Sequence, residues 1–467
     1  MDDIEFIKKI ETEYDVSSIK VDNIQVWGLL RSAYISEYIN KIVSGNEKNK
    51  SQQRPPINSM KKISRLRNIL YGMYNFIRRY EIYGFSDTME IREVNGKYIN
   101  KLFDVLMDNK TFLLIENPVN GYHISMNRRR TKNIISLDVF TFLPQIITGK
   151  RKTIQNEDIL FEINEKYGLQ IDASRIVTKF FIYKSVFKFF LDIYRPKAIM
   201  LSCYYGPTYQ SLIYASKEKN IPVIEMQHGS ISKTDPFYIS FIELENSFFP
   251  DYLLVWGENT KKSLQDICLI PNRNIFPVGS MYIEYMNKVE ERRLVNKFKT
   301  FRRNYKHIVA VTSQYTVEIQ LIKFIKDSAT ISSDILYLYI PRDPSIPYKV
   351  AFPKNIKIIK EFNAYQLIKY SDFHATVYSS CAIEAPALGI QNILININNE
   401  AKKNYSDILI DKNISRFVEN EKEFVELIRS WKIKPKKKIQ DLHKDFIAQE
   451  HSKSLSEALN YILSKEK

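Results

Sequence analysis

HIVAVTSQYTVEIQLIKFIKDSATISSDILYLYIPRD, residues 307–343, decides how this chain is read. Two short apolar runs, each ending in polar residues, flank a segment with helical spacing, and that order describes one β-α-β unit. The pattern continues through IKIIKEF (356–362), the helical AYQLIKYS (364–371), FHATVYSS (373–380), the helical CAIEAPALG (381–389) and NILININ (392–398). Apolar runs without strict alternation, separated by helices, predict a parallel sheet covered on both faces.

Moving toward the N-terminus, the same alternation predicts a second sheet. Its strands are EIYGFSD (81–87), TFLLIENP (111–118), AIMLSCYYG (198–206), IPVIEMQHG (221–229), DYLLVWG (251–257) and IFPVGS (275–280). Helices are expected at 98–110, 156–167 and 175–194. A length of 467 residues exceeds what one core fills and suits two α/β domains of roughly 200 residues. The divisions expected are a helical extension packed on the first domain (1–80), a first Rossmann-like domain (81–285), a polar linker (286–306), a second Rossmann-like domain (307–440) and a helix crossing back to the first (441–467).

Within the extension, residues 46–62 carry a Pro-Pro pair and read as an exposed loop. Met60–Tyr80 places Ile63, Leu66, Ile69, Leu70, Met73 and Phe76 or Ile77 at helical spacing among Lys61, Lys62, Arg65, Arg67, Arg78 and Arg79. The reading preferred is a core-packed helix with a solvated basic face; the competing one is a helix lying on a membrane. The run Asn127–Lys132 is read as a solvated face on a flap.

Composition narrows the function. A 44% hydrophobic, 13% aromatic chain can bury large cores and is not of the disordered class. Cys203, Cys268 and Cys381 are far apart with no CxxC pair, giving neither a disulfide framework nor a zinc site. Together with the lack of a signal-like or long apolar stretch, this predicts a cytoplasmic protein, able to work at the inner face of the membrane. The formal net charge of +16 predicts an anionic partner without choosing among nucleotides, acidic glycans, lipid and nucleic acid. An AT-rich coding sequence would raise lysine with no functional cause.

Chemistry concentrates where strands end, because ligands of open α/β sheets bind beyond the carboxyl ends of strands. In the first domain Glu225, Gln227, His228 and Gly229 follow a buried run, and Tyr204 and Tyr205 follow another. His228, one of six histidines, suits a general base, with Asp87 as its rival. In the second domain Ser379 and Ser380 precede a helix start, a natural phosphate cradle. Glu384, one turn on, would meet a ribose or sugar hydroxyl or else serve as a capping partner of Ser380 or Cys381. Ser313 and Gln314 end the first strand of that domain, and Arg342 could fork onto a phosphate or pair with Asp343. No P-loop, GxGxxG, HExxH or well-placed DxD is present, so neither a metal nor a bound cofactor is expected.

These stretches resemble the bacterial capsule and lipopolysaccharide glycosyltransferases of GT-B fold that carry a QHG motif, among them capsule Kdo transferases, with sialyltransferase-like and glycerophosphotransferase-like relatives further off. The resemblance rests on Gln227-His228-Gly229, then PDYLLVWG (250–257) with PVGS (277–280), then YSSCAIEAPALGIQNILI (378–395), and spans about residues 81–465. It implies two Rossmann-like domains facing across a cleft. The second would hold a nucleotide-sugar donor, CMP- or UDP-linked, through Ser379, Ser380, Glu384 and the Gln314 turn; the first would receive a glycan or lipid-linked acceptor near Asp87 and His228. Members often carry His-Pro where this chain has Ile340-Pro341, which leaves the donor open. A glycerol- or ribitol-phosphate transferase, a nucleotide-sugar epimerase and a non-catalytic basic scaffold are the alternatives; no nucleic-acid-binding motif is present.

Overall fold

Strand propensity and the period-2 alternation of side chains build two parallel sheets. The computed structural model describes residues 2–46, 65–108, 111–119, 121–146, 149–264, 268–342 and 351–465. It divides into one unit of Met1–Val278 with Ser452–Lys467 and a second of Gly279–His451.

The first unit's sheet contains β1 (Ile82–Asp87), β2 (Phe112–Asn117), β3 (Ile134–Ser136), β4 (Ala198–Leu201), β5 (Val223–Met226), β6 (Tyr252–Val255) and β7 (Ile275–Pro277). Their order is β7-β6-β5-β4-β1-β2-β3, all parallel. Alternate residues feed two cores. Tyr83, Phe85, Leu113, Ile115, Ile199 and Leu201 face one side, with helices α1 (Asp3–Glu13), α2 (Trp27–Asn46), α3 (Ala173–Tyr194) and α4 (Pro207–Lys217). Ile82, Phe112, Leu114, Met200 and Ile224 face the other, covered by Leu455, Leu459 and Ile462 of helix His451–Lys465.

The second unit's sheet contains β8 (His307–Thr312), β9 (Ile335–Ile340), β10 (Ile356–Ile358), β11 (Phe373–Thr376), β12 (Gln391–Ile395) and β13 (Ser415–Val418), ordered β10-β9-β8-β11-β12-β13 and again all parallel. Helix α5 (Arg292–Asn304) covers one face, burying Leu294, Phe298 and Phe301 against Ile308, Leu336 and Leu338. Helices α6 (Glu318–Ile331) and α7 (Cys381–Ala387) follow β8 and β11, and α8 (Glu421–Ser430) packs with α6 on the opposite face, around Val309, Tyr337 and Phe373. In each sheet the chain winds outward one way from its first strand and then the other way from its fourth, so each unit is Rossmann-like, with a switch point between those two strands.

Several expectations change. The segment 98–110 is not one helix: Lys97–Asn100 pairs antiparallel with Ile91–Val94, and among its described residues only Asp104–Met107 is helical. Asn95 and Gly96 sit at φ 52° and 76°, the two-residue turn that an Asn-Gly pair favours in a hairpin. The polar stretch at 286–306 is largely helical, because α5 carries an apolar stripe that the density of Arg and Lys obscured. Strands β3 and β13 were not anticipated, each being short.

The Met60–Tyr80 segment departs furthest. Residues 60–64, with Lys61, Lys62 and Ile63, lie outside the described residues; 65–69 are helical and the helix stops before Gly72. Gly72 has φ 70°, and a β-carbon there would lie 1.8 Å from the Ile134 carbonyl oxygen, so a side chain is excluded twice over. Leu66, Leu70, Met73 and Ile77 are exposed, contrary to a core-packed helix. The run Asn127–Lys132 is likewise not a uniformly solvated face. Arg129 is buried and donates to Glu116 Oε2 at 2.9 Å, and Arg130 pairs with Asp104 and Asp108.

Candidate functional site

At the first unit's switch point, β1 ends in Asp87, β4 runs into Ser202–Gly206, and neighbouring β5 runs into Gln227–Gly229. The Ser202 backbone N–H donates to the Phe85 carbonyl at 2.9 Å, continuing the pairing of β1 with β4 past the last strand residue. Asp87 caps the short turn Thr88–Glu90, its Oδ1 accepting from the Met89 N–H at 2.7 Å. Burial, reinforced by Glu90 and Glu116, raises its carboxyl above the usual range.

His228 is partly buried beside this turn. Its Nδ1 is buried with no hydrogen-bond partner. Burial is the main cause holding the imidazole below its ordinary pKa; Glu90 works against that and Lys101 with it. The ring is therefore neutral at neutral pH and keeps a lone pair, which is what a general base requires. Lys101 Nζ reaches the His228 carbonyl at 3.2 Å while paired to Glu90 at 2.9 Å, so the hairpin that follows β1 is tied to the loop that follows β5.

The other candidates of this unit brace the site from within. Glu225 is fully buried; its Oε1 accepts from the Tyr204 N–H at 3.1 Å and the Tyr238 hydroxyl at 2.9 Å. Burial pushes its carboxyl up to about 8, so it is largely protonated at neutral pH. Gln227 donates to the Gly229 carbonyl at 2.8 Å and accepts from the Trp256 N–H at 2.6 Å, locking the loop to the end of β6. The Tyr204 hydroxyl donates to the Phe237 carbonyl, and Tyr205 stacks on the Phe237 ring at 4.3 Å. Glu225 Oε1, the Gln227 amide and the Tyr204 hydroxyl are thus engaged inside the fold, whereas Asp87, His228, Gly229 and Tyr205 are only partly covered.

In the second unit, β8 and β11 flank the switch point. Their ends carry Ser313 and Gln314 on one side and Ser379 and Ser380 on the other. The Ser313 hydroxyl is buried, accepting from Tyr339 at 2.9 Å beside Glu318, while Gln314 is half-buried. Ser379 Oγ accepts from the Cys381 N–H at 3.3 Å; Ser380 is exposed and its Oγ meets Glu384 Oε2 at 3.4 Å. Glu384 Oε1 accepts from the Tyr365 hydroxyl at 2.7 Å. Arg342 is exposed, and Asp343 lies outside the described residues. The structure brings the Ser313–Gln314 and Ser379–Glu384 groups to adjacent strand ends, with hydroxyls, an amide and backbone N–H groups suited to an anion.

No model of a known protein family matches the chain, and no curated protein matches it in sequence. Solved structures follow a similar backbone course. A structure of the wall teichoic acid polymerase TagF is 11% identical, covering 94% of this chain and 98% of that one, with a TM-score of 0.49. The UDP-GlcNAc 2-epimerase from Neisseria meningitidis bound to UDP-GlcNAc is 12% identical over 81% of this chain and 99% of that one, with a TM-score of 0.45. The glycotransferase of kitacinnamycin is 9% identical over 83% and 100%, with a TM-score of 0.46.

Other residues at these edges escaped the sequence reading. Lys101 and Glu90 lie in the hairpin mistaken in part for a helix. Beneath the second edge a buried chain runs from Thr312 Oγ1 to His374 Nε2 at 2.8 Å and from His374 Nδ1 to Asn392 Oδ1 at 2.8 Å. Burial holds His374 down at about 4, so it is neutral and joins three neighbouring strands. The signal available was a histidine inside an apolar strand, a position that demands partners. Among the described residues no group of three or more His, Cys, Asp or Glu side chains could hold a metal ion, and no helix is long and apolar enough to cross a membrane.

Proposed function

We propose that this chain is a glycosyltransferase that moves a sugar from a nucleotide-sugar donor to a growing bacterial surface glycan. The observation that carries this reading is the neutral His228, with an unpartnered Nδ1, at the first unit's switch point. In the reaction His228 removes the proton from an acceptor hydroxyl, and the freed oxygen bonds to the donor's anomeric carbon. The bond from that carbon to the nucleotide phosphate breaks, and the nucleotide leaves with the electron pair. Because Nδ1 is covered, the ring turns to meet the hydroxyl. Asp87 orients the acceptor.

On the donor side, the Gln314 turn and the Ser379–Ser380 hydroxyls receive the phosphate charge, and Glu384 accepts a ribose or sugar hydroxyl. A single displacement of this kind inverts the anomeric centre and needs one base. The donor is a CMP- or UDP-linked sugar.

A thermal-shift panel of CMP, CDP, UDP, GDP and their sugar conjugates tests the reading, because a ligand of the native state raises Tm by mass action. One nucleotide should raise Tm selectively, and Ser380→Ala and Glu384→Gln should erase the shift. With that donor, His228→Ala should lower kcat by roughly 10²–10⁴-fold while leaving the nucleotide shift intact. A panel with no selective shift would sink the proposal.

A further inference from the structure

We propose that the surface formed by residues 66–79 and the last turns of α3 docks this protein on an anionic lipid bilayer. The inference stands on surface chemistry alone and does not depend on the transfer reading.

In this segment the usual distribution of side chains is inverted. Its asparagines point inward: Asn68 Nδ2 donates to the Gly121 carbonyl at 3.1 Å and Asp138 Oδ2 at 3.0 Å, and Asn75 Nδ2 donates to the Lys132 carbonyl at 2.7 Å. Both are buried. Most of its aliphatic residues point outward, with Leu66 58%, Leu70 72% and Ile77 88% exposed and Ile69 half-buried. A single exposed leucine needs no explanation, but a run of them on a segment anchored by its polar residues marks an interaction site.

The patch continues onto α3. Tyr194 donates to the Phe76 carbonyl at 2.9 Å and packs its ring 5.1 Å from that of Phe76, seating the segment beside the end of the helix. There Phe189 is 69% and Ile193 41% exposed.

Charge selects the occupant. Arg67, Arg78 and Arg79 are exposed along the same stretch and form no ion pair among the described residues. The nearby acids are already engaged, Glu81 with Lys197 and Asp192 with Lys219. Exposed aliphatic tips interleaved with exposed guanidinium groups match a headgroup layer: the tips enter the acyl boundary and the guanidinium forks take lipid phosphates. The contact is peripheral.

Co-sedimentation of the full chain with vesicles tests this, comparing phosphatidylcholine containing phosphatidylglycerol with phosphatidylcholine alone. The wild type should bind the anionic vesicles in a salt-sensitive manner and the neutral ones weakly. Leu70→Glu/Ile77→Glu should weaken binding on the order of a hundredfold with Tm unchanged. Ile319→Glu, at an 83% exposed position of the other unit, should bind as wild type. Should the double variant unfold, Arg78→Gln/Arg79→Gln replaces it with the same readout. Failure of the wild type to bind, equal binding to both vesicles, or undiminished binding by the variants would overturn the proposal. So would loss of self-association in the variants without any vesicle binding, which would assign the patch to a protein contact.

Discussion

Lys101 grips His228 by the backbone carbonyl rather than by the ring, at 3.2 Å, and its ammonium adds to the burial that holds the imidazole below its ordinary pKa. Glu90, paired to that ammonium, pulls the other way. Removing the cation in Lys101→Met should raise the His228 pKa and move the acidic limb of the kcat/KM profile to higher pH. Glu90→Gln should move it lower. Identical limbs in all three proteins would mean that another group is the base.

Glu225 predicts a stability profile. Its folded pKa of about 8 lies above the ordinary 4.5, so between those values the native state holds a proton that the unfolded chain has lost. The contribution is therefore full below about pH 4.5 and declines as pH rises to about 8. His374, held down at about 4, acts with the opposite sign below its ordinary 6.5. The difference in Tm between wild type and Glu225→Gln isolates the carboxyl: wild type should lose ground to the variant steadily across that window, and a constant difference would show that the carboxyl is not perturbed.

The N-terminal helices are fastened to the loop that follows His228. Glu11 accepts from Arg31 at 3.0 Å, Trp27 at 3.1 Å and the Phe241 N–H at 3.0 Å, while Arg31 donates to the carbonyls of Pro236 and Ile239. Glu11→Ala strands a buried guanidinium and should cost about 3–5 kcal/mol by urea titration. A loss under about 1 kcal/mol would mean that water reaches the pair.

Tyr365 holds Glu384 through a 2.7 Å bond. Tyr365→Phe should raise the donor KM roughly tenfold with kcat nearly unchanged, since a bond to a charged acceptor contributes about 1.5 kcal/mol or more. A fall in kcat alone would place Glu384 in the chemistry instead of in binding.

Much of the fold was readable because buried parallel strands advertise themselves as apolar runs with polar ends. The errors have local causes. Helical spacing of Tyr98, Leu102 and Leu106 outweighed the Asn95-Gly96 turn just ahead of it. Three successive arginines cannot reveal that Arg129 turns inward, because its partner Glu116 lies on another strand. At the candidate site, the positions of His228, Asp87 and Ser380 followed from strand ends. The inward engagement of Glu225 and Gln227 did not, since it is set by Tyr238 and Trp256, which arrive from elsewhere in the chain.

Helix His451–Lys465 supplies Leu455, Leu459 and Ile462 to a core whose other members begin at Ile82, whereas the second unit is continuous from Gly279 to His451. During synthesis, the second unit has its whole chain before the first does. The sheet begun earliest on the ribosome keeps an open apolar face until that helix emerges, so its need for chaperone shelter grows with the time taken to translate everything in between.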